Sequence, residues 1–154
     1  MIHFVGAGSG AVDLITVRGQ RLLENADVVI YAGSLVNPEL LEYTKKDCKI
    51  FNSAYMTLEE VIAEMVSAEE NGLETVRLHT GDPSIYGAIR EQIDELERLG
   101  IKYDICPGVS SFFAAAATLG IEYTLPDVSQ SLLITRAEGR TPVPEGEQRT
   151  SFAS

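Results

Sequence analysis

The sequence contains no tryptophan, and only two cysteines and two histidines in 154 residues. Cys48 and Cys106 lie far apart and form neither a metal-ligand nor a redox spacing. A disulfide-free protein without a bound metal is therefore expected. His3 and His79 belong to no serine, histidine and carboxylate pattern, so no catalytic residue is singled out. Packing with a satisfied imidazole is the expected state of both. Basic residues are also scarce: 12 Lys and Arg stand against 23 Asp and Glu, a net charge of −11. That works against non-specific binding to nucleic acid, which needs a basic face to neutralise phosphates. No apolar run approaches the length needed to cross a bilayer. Met1-Ile2-His3-Phe4-Val5 runs straight into glycines, with neither the basic region nor the cleavage site of a secretory signal. The expected location is the cytoplasm.

What is present is enough to build a core. Hydrophobic residues make up 45% of the chain, which excludes global disorder, and the length suits one domain or one domain plus part of another. Strand and helix signals alternate. Ile2–Val5, Val28–Tyr31, Lys49–Phe51, Val76–His79 and Ile101–Cys106 read as strands. A helix is expected from Val17 to Asn25 with Thr16 as its N-cap, and a short one after Pro38. Another starts at Thr57, where Thr57 and Glu60 make a capping box and Gly72 closes the end. Further helices are expected over Ile85–Leu99 and Ser110–Leu119. This order implies an α/β fold, a mostly parallel sheet flanked by helices, with right-handed crossovers. Ligands of such sheets bind at the carboxyl ends of the strands, where three unusual loops should share one rim.

The first loop, Gly6-Ala7-Gly8-Ser9-Gly10-Ala11, fits the dinucleotide pattern G-x-G-x-x-G/A after a strand. That pattern also needs a carboxylate at the end of the second strand to hold a ribose. The second strand here ends Tyr31-Ala32-Gly33-Ser34, and Asp27 stands at its opposite end, which disfavours a nicotinamide cofactor. The second loop is His79-Thr80-Gly81-Asp82-Pro83-Ser84-Ile85-Tyr86-Gly87. Asp82 can accept from a ligand or cap the following turn. The third is Cys106-Pro107-Gly108-Val109-Ser110-Ser111, leading into an alanine-rich helix whose start the serine hydroxyls can cap and whose exposed N–H groups can bind a ligand.

In this order, the three loops resemble the tetrapyrrole (corrin/porphyrin) methylase family over the whole chain. Val5–Gly10 through Asp13-Leu14-Ile15-Thr16 and Arg18-Gly19 is similar to the family's first signature. Thr80-Gly81-Asp82-Pro83 with Tyr86-Gly87 is similar to its second, and Pro107-Gly108-Val109-Ser110-Ser111 to its third. Thr135–Pro144, with Tyr31–Val36, is similar to the branch that methylates C11 of precorrin-4 in cobalamin synthesis. The sequence departs from the family where Ser9 replaces a usual proline and Ala11 a frequent acidic residue.

The resemblance implies methyl transfer from S-adenosylmethionine, with S-adenosylhomocysteine as product and a small-molecule tetrapyrrole as substrate. It implies cofactor contacts from Ser9, Thr80, Gly81, Asp82, Ile85, Ser110 and Ser111. Arg136 and Arg140 are candidates to pair with the substrate's carboxylates, with Glu138 between them. It further implies an N-terminal domain over 1–122, and over 123–154 a linker and first strand (Ser131–Thr135) of a second α/β domain largely absent from the chain. A homodimer is implied for a full-length protein. Two competing readings are a non-catalytic nucleotide-type binding or interaction domain, and a sibling methylase acting at another ring position.

Overall fold

A computed structural model describes residues 1–135 and 143–144. The chain divides into two compact units, Met1–Leu119 and Gly120–Ser154. The first carries a five-stranded sheet of β1 (Ile2–Gly6), β2 (Val28–Tyr31), β3 (Lys49–Asn52), β4 (Thr75–His79) and β5 (Tyr103–Cys106). Their order is β3-β2-β4-β1-β5, and every pairing is parallel. The helices are α1 (Val17–Asn25), α2 (Leu58–Glu70), α3 (Ile89–Arg98) and α4 (Ser111–Leu119).

Helix starts follow local chemistry. Thr16 caps α1 by accepting from Gly19 N at 3.0 Å. Thr57 and Glu60 form the reciprocal capping box of α2, at 2.7 and 3.2 Å. Each face of the sheet then buries its own cluster. Val5, Val29, Val76 and Leu78 pack with Leu23 of α1 and Leu40 of the turn Pro38–Tyr43. Ile2, Phe4, Val28 and Ile30 pack with Ile62 and Met65 of α2 and Ile93 and Leu96 of α3. A large side chain buried this way contributes about 1.5–3 kcal/mol.

This topology positions the site. From β1 the chain passes over β4 to reach β2, with α1 on one face. From β4 it passes over β1 to reach β5, with α3 on the other face. Two adjacent central strands therefore send their connections in opposite directions. Between their carboxyl ends lies a switch point, the place where sheets of this kind bind ligands.

The opposite rim is charged. His3 bridges Asp104 and Glu74, at 2.7 and 2.9 Å. Asp27 accepts from Lys45 at 2.7 Å and from Glu74 N at 2.9 Å, and these bonds hold its carboxyl below the usual range. Asp27 thus ties strands together far from any ribose site.

Two elements differ from expectation. The helix expected from Ile85 starts only at Ile89, because Tyr86 and Ala88 adopt left-handed φ values of 56° and 49°. Ile85 therefore lies on a loop. In the second unit, Ser131–Thr135 forms no strand; Leu132, Leu133 and Ile134 are exposed, with no strand to pair with among the described residues. The regular feature there is a tight turn closed by a Leu125–Ser129 bridge, with Asp127 at φ 60°. No helix among the described residues is long and apolar enough to cross a membrane.

Candidate functional site

The three loops meet at the switch point through their backbones. Gly8 and Gly81 form an antiparallel bridge: Gly81 N donates to Gly8 O at 2.8 Å, and Gly8 N to Gly81 O at 3.3 Å. Both need the left-handed region, with φ of 80° and 58°. Gly6 and Gly108 are required for space instead. A Cβ on Gly108 would stand 2.1 Å from Gly81 O and 2.8 Å from Gly6 Cα; one on Gly6 would stand 2.6 Å from both Gly108 Cα and Gly81 O. Any side chain here drives the loops apart.

Asp82 completes the joint. Its Oδ1 accepts from Ser84 N at 2.8 Å, which is the turn-capping role. Its Oδ2 accepts from Gly108 N at 2.9 Å, tying the second loop to the third. Both carboxylate oxygens thus hold backbone. On the other side, Asn37 Nδ2 donates to Gly10 O at 2.8 Å, securing the first loop to the segment after β2.

The structure therefore brings the loops of Ser9, Thr80, Gly81, Asp82, Ser110 and Ser111 to one place. Gly81 lies against Ser110 and Ser111: its Cβ position is 3.5 Å from Ser110 Cα and 3.8 Å from Ser111 N. Thr80 is half-buried, Ser110 buried and Ser111 exposed. Ile85 stays close through a turn, its N–H donating to Asp82 O at 3.3 Å, and keeps 37% of its surface exposed. Arg136, Glu138 and Arg140 lie outside the described residues.

Two polar atoms at this rim have no partner. Ser9 Oγ and His79 Nε2 are buried without a hydrogen bond. Such atoms cost free energy unless a ligand or solvent satisfies them. His79 is packed as expected, stacking on Phe4, but its imidazole is not satisfied. Burial, with the Arg77 cation beside it, lowers its pKa to about 3, so the ring is neutral at physiological pH. Arg77 is itself buried and donates to Gln92 Oε1 at 3.0 Å and Ile30 O at 3.1 Å. Burial lowers its pKa to about 10, which still leaves a cation. Asn37 and the Arg77–His79 pair escape sequence reasoning. Asn37 before a proline signals a cap, but nothing in the sequence points 27 residues back to Gly10.

A doubly wound parallel α/β domain with a glycine-lined loop junction at its switch point is the class that fold and site define. The comparisons narrow this. The model of the tetrapyrrole (corrin/porphyrin) methylases matches residues 1–153, and the chain belongs to that family. A cobalt-precorrin-4 C(11)-methyltransferase of Methanocaldococcus jannaschii is 62% identical over 152 residues, 99% of this chain and 59% of that relative. The solved structure of a cobalt precorrin-4 methyltransferase, a cobalamin biosynthetic enzyme, superposes with a TM-score of 0.90 at 50% identity, covering 94% of this chain and 60% of that one. A uroporphyrin-III C-methyl transferase from Thermus thermophilus, solved with S-adenyl homocysteine, has a TM-score of 0.69 at 29% identity over 84% of this chain and 52% of its own. The chain thus spans about three-fifths of the precorrin-4 relatives it matches.

The joint and the buried imidazole each yield a prediction. Gly108→Ala should lower unfolding stability by about 3 kcal/mol, as overpacking does. Gly100→Ala should lose only about 1 kcal/mol for its φ of 69° in open space. Equal losses in urea unfolding would contradict the close joint. The unfolded chain's imidazole takes up a proton near the ordinary histidine value of 6.5, whereas the folded one resists it down to about 3. Acid therefore favours unfolding across that window, at up to about 1.4 kcal/mol per pH unit. His79→Gln should flatten stability measured there; an unchanged acid slope would count against a buried neutral ring.

Proposed function

We propose that this chain supplies the N-terminal wall of the cofactor cleft in an S-adenosylmethionine-dependent enzyme that methylates C11 of precorrin-4 or its cobalt complex, in cobalamin biosynthesis. The observation that carries this reading is the joining of three family loops around Gly81, with the orphaned Ser9 hydroxyl beside it, in a chain 62% identical to a C11-methyltransferase. In this reading residues 1–122 form the N-terminal domain, and 123–154 the linker and start of a second one. Phe113 and Leu119 on α4 and Ile105 on the edge strand β5 are 57%, 69% and 39% exposed, an apolar surface suited to a second copy of the chain, so the reading includes a homodimer. A cytoplasmic location belongs to the same reading.

The residues present fit the cofactor. Ser9 Oγ offers an unused hydroxyl, and Gly10 leaves open space on the rim. Thr80, Ser110 and Ser111 add hydroxyls and N–H groups, and Ile85 offers apolar surface. When bound, S-adenosylmethionine supplies a methyl group on a sulfonium that is already an excellent leaving group. The protein's task is then to align two reactants and exclude alternatives. No acid–base pair is demanded, which suits a site whose histidine is neutral and buried. Asp82 serves by holding the second and third loops at fixed separation. Arg136 and Arg140 pair with carboxylates of the macrocycle, with Glu138 orienting one of them, and so offset the repulsion of a chain of net charge −11.

Methyl-labelled S-adenosylmethionine and precorrin-4 test this directly. A chain extended to the length of its relatives should place the label at C11, while the 154-residue chain should transfer little or none. Label at another ring carbon, or turnover by the short chain alone, would contradict the reading. In the extended chain, Asp82→Ala removes two charge-assisted bonds and should weaken S-adenosylhomocysteine binding at least tenfold, as an order of magnitude.

A further inference from the structure

Asn37 stands just before Pro38 and opens the helical turn Pro38–Tyr43. Its Oδ1 accepts from Glu39 N at 3.0 Å, which is all that capping requires. The other half of the amide has a different partner. Nδ2 donates at 2.8 Å to the carbonyl of Gly10, in the first glycine loop.

That loop needs an external tether. Gly10 has φ of 122°, and beyond its chain neighbours nothing lies within 4 Å of where its Cβ would be, so nothing packs on that side of it. Gly8, two residues earlier, is fixed by its bridge to Gly81. Ser9 lies between these two attachments, with its hydroxyl buried and unpartnered. Freeing Gly10 would let that hydroxyl turn away or find solvent.

We propose that Asn37 is a positioning residue for cofactor binding: its side-chain N–H holds Gly10, and with it the unpartnered Ser9 hydroxyl, in place before any ligand arrives. This rests on the cofactor reading above. Affinity then depends on Asn37 without contact, because an ordered loop spares the ligand the cost of ordering it.

The cap and the tether separate by substitution. Asn37→Asp keeps the acceptor and is an equally good N-cap, but has no N–H for Gly10. Asn37→Ser keeps a capping hydroxyl too short to reach it. S-adenosylhomocysteine affinity is measured by calorimetry, in the 154-residue chain and in one extended to the relatives' length, with thermal midpoints as the folding control. Both variants should melt like the parent yet bind about five- to tenfold more weakly, the loss expected for one hydrogen bond. Amide exchange at Ser9 and Gly10 should quicken in both. Parental affinity in a folded variant overturns the role of Asn37 and leaves the cofactor reading intact. Failure of both parental chains to bind overturns the cofactor reading, and this inference with it.

Discussion

Three stretches of backbone converge at Gly6, Gly81 and Gly108, with no space for a Cβ on Gly6 or Gly108. The arrangement of the candidate site depends on this contact. A parallel sheet brings all strand ends to one rim, but it does not by itself set how far apart the loops stand. Here the bridge between Gly8 and Gly81 sets that distance across the switch point, and the bond from Gly108 N to Asp82 carries it on to the third loop. Glycine's lack of a side chain gives close approach, and its tolerance of positive φ gives the bridge its geometry. The carboxylate of Asp82 then holds what sterics merely permit.

Charge is distributed in keeping with this division of labour. The amino-end rim carries the pairs formed by His3, Asp27, Lys45, Glu74 and Asp104, which fasten strand starts to one another. The carboxyl-end rim has backbone amides, small hydroxyls and a neutral imidazole, with the Arg77 cation buried behind it. At the loop junction itself the carboxylate of Asp82 is committed to backbone, each oxygen accepting one N–H. Such a surface can approach a polyanionic partner locally despite the global repulsion.

Much of the fold is legible in the sequence because its signals are local. Thr16 and Thr57 cap the helices they precede, and the apolar runs ending at Gly6, Tyr31 and His79 are buried strands. The meeting of the three glycine loops follows from strand–helix alternation. What escapes the sequence is non-local or strained. Tyr86 and Ala88 take left-handed conformations that no propensity would assign, so α3 starts four residues late. The dual role of Asp82 is half legible, since its cap to Ser84 is local and its bond to Gly108 spans 26 residues. The apolar run Ser131–Thr135 has strand composition, but a strand needs a neighbour to pair with.

Contact of S-adenosylhomocysteine with the three joined loops is read from backbone amide shifts during titration of the extended chain. If the cofactor lies against them, the largest changes fall on Gly8–Gly10, Thr80–Asp82 and Ser110–Ser111 together, and leave the His3–Asp104 rim unmoved. Saturable binding whose shifts cluster away from all three loops would contradict that contact.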